Sequence, residues 1–113
     1  SPVPVSEGPL PPGVHGAYYH AEQKITLSPG MSEAQTIKTL VHEIAHAKLH
    51  ALPVEGGIIV GAHEKDRRTR EVEAESVAYT VCQYLGLDTS DYSFGYITAG
   101  LCGLQGEDAP QAD

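Results

Sequence analysis

The segment His42-Glu43-Ile44-Ala45-His46 has the HExxH pattern, in which two histidines and one glutamate can share a metal site. On an α-helix, residues four apart lie one turn apart on the same face, so both imidazoles can reach one metal ion. The glutamate lies on the neighbouring side of that face, where it can take a proton from a metal-activated water. The motif therefore predicts a hydrolytic metal site with His42 and His46 as ligands and Glu43 as general base.

A catalytic zinc site has three protein ligands and one open position, so the chain must supply a ligand beyond these two histidines. The metzincin pattern, with a third histidine ten residues after the first, is excluded because position 52 is leucine. His50 extends the four-residue spacing, but on a helix it lies two turns from His42. We interpret His50 as a helix-end residue or as a partner of a ligand, and not as a ligand itself.

Acidic residues on a second predicted helix, over positions 68–85, are the remaining source of a third ligand. Its apolar face consists of small or aliphatic residues, namely Ala74, Ala78, Val81, Cys82 and Leu85. Glu71 and Glu75 lie one turn apart at the edge of that face, whereas Glu73 lies roughly opposite and is predicted to face solvent. The alanines would allow a close approach to the first helix. The helical wheel leaves Glu71 and Glu75 as alternatives for the ligand.

The helix that carries HExxH is predicted to begin at a capping box, because Ser32 and Gln35 have the S-x-x-Q spacing of that motif. It is predicted to end near Pro53. Aliphatic residues follow the cap at helical spacing and predict one apolar face, formed by Ile37, Leu40, Val41 and Ile44. The two histidines lie about opposite this face, so both sides of the helix must be covered by other elements.

Short strands are predicted on either side of this helix. Positions 17–20 and 24–27 flank a polar turn and predict a β-hairpin, and positions 58–60 predict a further short strand.

Helix boundaries are also predicted in the C-terminal half of the chain. Gly86 is a natural residue to end the second helix. Thr89 or Ser90 can cap a third, shorter helix that runs through Leu101.

The composition indicates one small domain, because 113 residues suffice for a single modest core. No run approaches the ~20 apolar residues that a membrane helix needs. The formal net charge of −8 argues against a nucleic-acid surface, which needs clustered basic residues. Cys82 and Cys102 are too few for a disulfide scaffold and are predicted to be core thiols. We expect a cytoplasmic protein that binds neither membranes nor nucleic acid directly.

The predicted domain organisation has three parts. Positions 1–14, which contain five prolines and no apolar period, are expected to form a flexible N-terminal arm. Positions 15–104 are expected to form the metal-binding domain, and positions 105–113 a flexible, polar tail.

Two segments resemble a known family. His-Glu-Ile-Ala-His-Ala-Lys-Leu-His at 42–50, followed by Arg-Glu-Val-Glu-Ala-Glu-Ser-Val-Ala-Tyr at 70–79, resembles ImmA/IrrE-type metallopeptidases of the gluzincin group. The resemblance is closest to the zincin-like domain found with ArdC-type antirestriction proteins, and positions 86–96 are similar to that subgroup too. It covers roughly positions 17–100.

The resemblance implies a small α+β zincin-like fold, in which a short antiparallel sheet or hairpin packs on two or three helices and HExxH lies on the central helix. It implies one zinc ion held by His42, His46 and Glu71. It further implies that Glu75 hydrogen-bonds a zinc-bound histidine from outside the coordination sphere.

The predicted function is hydrolysis of a peptide bond in a peptide or protein substrate, with narrow specificity. The alternatives are a zinc-binding regulatory or antirestriction-type module with vestigial or no protease activity, and an amide or ester hydrolase that uses the same water. A peptidase also needs a donor for the developing oxyanion. Tyr96 is the residue that we favour for this role, and the other candidates are Tyr92, His63 and His20.

Overall fold

Two long helices form most of the ordered framework. The structure is a computed structural model, and it describes residues 3–88. In this part of the chain, helix α1 spans Glu33–Leu49 and helix α2 spans Arg67–Leu85. Five short strands accompany them: β1 Val5–Glu7, β2 Gly16–Tyr19, β3 Lys24–Leu27, β4 Val54–Glu55 and β5 Ile58–Ile59. The α+β fold with HExxH on a central helix is confirmed. None of the helices described is long and apolar enough to cross a membrane.

The predicted hairpin is present as β2 and β3, which pair in antiparallel register with Ala17 opposite Thr26. Gln23 adopts a positive φ of 56° in the turn and donates its backbone N–H to the Tyr19 carbonyl. Along β3, Ile25 and Leu27 are buried. Because alternate side chains of a strand point to one face, this pattern turns the apolar face of the hairpin toward the helices.

Strand β1 lies within positions 1–14, where no strand was predicted. It pairs in parallel with β3 and gives the sheet the order β1-β3-β2. All three of its residues are exposed and prolines flank it, as expected for a short edge strand. Its formation depends on a partner strand some twenty residues away, which local periodicity cannot reveal.

Helix α1 begins as predicted but ends earlier. The Ser32 hydroxyl accepts the Gln35 backbone N–H, and the helix stops at Leu49 with His50 as its C-cap. The two faces of this helix are unequally buried. The four aliphatic residues are partly buried, whereas the more deeply buried positions are mainly polar: Lys38, Thr39, His42, Glu43, Ala45 and His46. The polar face of α1 therefore packs against the sheet and α2.

Helix α2 matches its predicted boundaries closely. Asp66 caps its N-terminus by accepting the Thr69 N–H. At the other end Gly86 is left-handed, its N–H reaches the Gln83 carbonyl, and the Leu87 N–H reaches the Cys82 carbonyl. This is the Schellman arrangement, which favours glycine.

The buried stripe of α2 differs from the predicted apolar face at one end. It consists of Glu71, Ala74, Glu75, Ala78 and Cys82, whereas Leu85 is 54% exposed. Cys82 is a free thiol in the core, and burial raises its pKa.

The strand predicted at 58–60 is present as β5, and it pairs with β4, which was not predicted. The predicted third helix, the C-terminal tail and Cys102 lie outside the described residues.

Gly16 allows β2 to pack directly on α1. A Cβ atom at this position would lie 2.7 Å from the Thr39 methyl group, 3.2 Å from Cγ of Glu43 and 3.3 Å from a Leu27 methyl group. Thr39 and Glu43 are each only 1% exposed, so neither can move aside into solvent. The close approach of strand and helix therefore requires glycine here.

We expect Gly16→Ala to lower the free energy of unfolding by about 1–3 kcal/mol, because overpacking forces buried neighbours to shift. Chemical denaturation measures this effect. Gly8→Ala is the matched control, since a Cβ at Gly8 would meet only the Thr26 methyl group at 3.6 Å. Equal stabilities for the two variants would contradict this account of the packing.

Candidate metal centre

Two histidines of α1 and one glutamate of α2 meet in the interior between the helices. Nε2 of His42 lies 3.0 Å from Oε1 of Glu71, and Nε2 of His46 lies 3.1 Å from Oε2 of the same carboxylate. One possible ligand atom from each residue lies within 4.8 Å of those of the others. The HExxH spacing places the two imidazoles one turn apart, with ring centroids 4.9 Å apart, so that both face α2.

Glu71 is a buried carboxylate in direct contact with both imidazoles. Burial alone would raise its pKa, but the hydrogen bond with His42 is the largest of the effects that outweigh burial and lower the pKa to about 2. At neutral pH Glu71 is therefore ionised although it is only 6% exposed. An ionised carboxylate is the form that binds a metal ion.

The residues present fit a divalent metal. Nε2 of His46 is buried, and its 3.1 Å contact with Glu71 is not aligned as a hydrogen bond, so the atom has no hydrogen-bond partner among the described residues. A buried ring nitrogen without a partner is costly unless it binds something. Two imidazoles and one carboxylate are the donor set of catalytic zinc sites, and they leave one coordination position open.

Glu43 is placed beside this group by the same turn of α1. Its side chain is 1% exposed, and it lines a cavity of about 160 Å³ together with His46 and Glu71. The cavity wall also includes groups from outside α1, namely His20, His63 and Arg70. The structure thus brings a possible base, two of the possible ligands and several hydrogen-bond donors around one cavity.

The sequence model of the Peptidase_M78 family, described as the IrrE N-terminal-like domain, matches residues 8–82. That range contains α1 and all three residues of the candidate metal centre. The chain belongs to this family.

The M78 domain is also similar to an uncharacterized protein of Bacillus anthracis. The two are 35% identical over 88 residues, which cover 74% of this chain and 14% of that protein. The chain therefore spans only about a seventh of that relative's length. No solved structure gives a significant match. The ImmA/IrrE-type assignment made from the sequence is confirmed by the family match.

Behind His46, the M78 domain has a chain of contacts, of which the sequence analysis predicted only that His50 is a helix-end residue or a partner of a ligand. Nδ1 of His46 lies 2.9 Å from Nδ1 of His50, and Nε2 of His50 lies 2.7 Å from Oε1 of Glu73. Oε2 of Glu73 in turn accepts a hydrogen bond from Lys65 at 2.7 Å. Glu73 was predicted to face solvent; its side chain is 34% exposed and contacts His50 on one side and Lys65 on the other.

The other residues that the sequence analysis named lie in different parts of the chain. Glu75 is 3% exposed on the same face of α2 as Glu71, which agrees with the helical wheel. Its role as partner of a zinc-bound histidine stays a prediction. Tyr96 and Tyr92 lie outside the described residues, and His20 and His63 line the cavity.

We expect zinc to stabilise this domain, because an ion that binds only the folded state shifts the unfolding equilibrium. At a free zinc concentration of roughly 1,000 times Kd the gain is about 4 kcal/mol. Thermal unfolding with zinc, and then with excess chelator, measures a rise in Tm and its reversal.

Glu71→Ala should abolish this rise in Tm, and Glu64→Ala should keep it. Glu64 is an exposed acid in the loop before α2, so its removal changes the net charge equally. A rise in the Glu71→Ala variant equal to that of wild type would contradict the assignment of Glu71 as a ligand.

Proposed function

We propose that this M78 domain is a zinc-dependent peptidase of narrow specificity, with His42, His46 and Glu71 holding one zinc ion and Glu43 acting as general base. The observation that carries the proposal is the position of Glu43. A buried acid that shares a cavity with two of the three possible ligands is needed for hydrolysis, whereas a purely structural zinc site has no use for it.

When bound, zinc would supply Lewis-acid chemistry, polarising the scissile carbonyl and lowering the pKa of water to about 7. Glu43 would accept the proton of the attacking water and deliver it to the leaving amine. Burial keeps Glu43 close to the reacting groups and limits competing water. His42, His46 and Glu71 would hold the metal ion in a fixed position, since all three lie on helices and not on loops.

His20 is the donor that we propose for the developing oxyanion within the described residues, while the role of Tyr96 stays a prediction. Nδ1 of His20 accepts the Leu52 backbone N–H at 3.2 Å, so the neutral ring carries its hydrogen on Nε2. Burial is the largest effect that lowers the pKa of His20, and the positive charge of Arg70 acts in the same direction. A neutral imidazole with a fixed Nε2–H on the cavity wall suits a preorganised donor.

The finer features of this proposal rest on the sequence. They comprise the likeness to ArdC-type zincin-like domains, a cytoplasmic location, and a peptide or protein as substrate. The small cavity next to the metal centre accommodates only a short part of such a substrate, in agreement with narrow specificity.

Glu43→Gln should retain zinc and lose cleavage of a peptide library by roughly 100- to 10,000-fold, because only the proton transfer is removed. Metal content and cleavage are measured on the same preparations. Glu64→Ala serves as the control with unchanged activity. If neither wild type nor variant cleaves any peptide while both bind zinc, the peptidase proposal fails in favour of a zinc-binding regulatory or antirestriction-type module.

His20→Ala should lower kcat for the best library peptide by about 100-fold or more while leaving zinc content unchanged. His15→Ala is the matched control, because His15 precedes β2 and does not line the cavity. The measurement is steady-state kinetics on zinc-loaded protein. An unchanged kcat in His20→Ala would return the role of donor to the other candidates, His63, Tyr92 and Tyr96.

A further inference from the structure

We propose that Lys65, Glu73 and His50 form a positioning relay that fixes which ring nitrogen of His46 carries its hydrogen, so that the lone pair of Nε2 is left for the metal. None of the three is among the proposed ligands. The inference rests on the metal centre of the proposed function, and its first step can be tested without metal or substrate.

The relay is continuous from the surface to the interior. Lys65 is 55% exposed at its side chain, Glu73 is 34% exposed and His50 is 4% exposed. The contacts Lys65 to Glu73 and Glu73 to His50 are each 2.7 Å, and the contact of His50 with His46 is 2.9 Å. Three short polar contacts therefore connect a solvated ammonium group to the buried imidazole of a proposed ligand.

The direction of each hydrogen bond follows from the donor and acceptor properties of the groups. Oε2 of Glu73 accepts a hydrogen bond from the Lys65 ammonium group, which can only donate, and a carboxylate paired in this way is an acceptor at both oxygens. Nε2 of His50 must then donate to Oε1 of Glu73. In the tautomer of His50 that carries its hydrogen on Nε2, Nδ1 has no hydrogen and accepts one from Nδ1 of His46. Nε2 of His46 consequently keeps its lone pair.

The contact on the other side of His46 agrees with this assignment. Nε2 of His46 lies 3.1 Å from Oε2 of Glu71 without hydrogen-bond alignment. In this tautomer, two lone pairs face each other across that distance. Such an arrangement is unfavourable by itself and becomes favourable when a cation binds both atoms. The relay thus fixes the tautomer of His46 before a metal binds, as hydrogen-bond partners of metal-bound histidines do in general.

Side-chain NMR of the metal-free, 15N-labelled 113-residue chain tests the first step. Two-bond proton–nitrogen correlations report which nitrogen of each imidazole carries the hydrogen. We expect Nδ1–H for His46 and Nε2–H for His50 in wild type. In His50→Ala and Glu73→Ala the preference of His46 should be lost. Glu73→Gln should lose part of it, because an amide can donate as well as accept.

Zinc affinity, measured by competition with a chromogenic chelator, tests the second step. We expect His50→Ala to weaken zinc binding by roughly 10- to 100-fold, and Glu73→Ala to weaken it in the same direction by less. Glu64→Ala, which removes an equal charge from an exposed position, should stay within about twofold of wild type. Unfolding of each zinc-free variant shows that the fold is intact, and the half-exposed Glu73 provides a test if His50→Ala does not fold.

An Nε2–H tautomer of His46 in wild type would overturn the proposal. So would folded Glu73→Ala protein with the tautomer and zinc affinity of wild type. A wild-type chain that shows the expected tautomers but binds no zinc would instead refute the metal centre of the proposed function. The relay is supported if tautomer and affinity change together, even where no peptide is cleaved.

Discussion

The contact of one buried carboxylate with two buried imidazoles constrains the rest of this structure. Removing an ionised carboxylate from water costs several kcal/mol unless it is paired. Glu71 is paired only while α1 and α2 remain close enough for His42 to reach it. Ala74 and Ala78 have no bulk to hold the helices apart, and Gly16 in the same way allows β2 to approach α1 closely. Small residues therefore lie where the contact of Glu71 with the histidines requires close packing.

This constraint makes the interior unusually polar for so small a domain. Among residues 3–88, eight polar or charged side chains are buried, compared with six hydrophobic ones, of which three are alanines. Hydrophobic burial scales with apolar area, so alanines and one cysteine contribute little. The stability of the fold must then depend on how completely its buried polar groups are hydrogen-bonded or paired. Because the same residues form the core and the candidate metal centre, metal binding would be coupled to folding.

The features that sequence predicted well are those that depend on local geometry. The cap at Ser32, the glycine stop at Gly86, and the hairpin each involve residues within a few positions of one another. The grouping of Glu71 with the two histidines was accessible because a helical wheel left Glu71 and Glu75 as candidates and a family motif then chose Glu71. Both sources describe spacing within a single helix, which α-helical geometry fixes.

The features that sequence missed depend on contacts between distant segments. Strand β1 forms because β3 offers it a parallel edge, not because Val5–Glu7 has strand periodicity. The wheel placed Glu73 on the outer face of α2, which is correct as an angle. The wheel could not show that the end of α1 passes close to Glu73 and brings His50 into contact with it. The deeper burial of the polar face of α1 was missed for a similar reason. Hydrophobicity ranks residues by their transfer from water and ignores the pairing that makes polar burial favourable.

The relay gives the first turn of α2 and the loop before it an influence on the buried site. Lys65 lies just before the helix, and its backbone carbonyl accepts a hydrogen bond from Arg70. Asp66, the residue after Lys65, accepts the Thr69 backbone N–H and caps the helix. Lys65 is thereby held at its backbone while its side chain engages Glu73. A displacement of this loop would act on His50, and through it on His46, without touching the candidate metal centre. Since α2 also carries Glu71, the same helix start controls the position of one ligand and the hydrogen bonding of another.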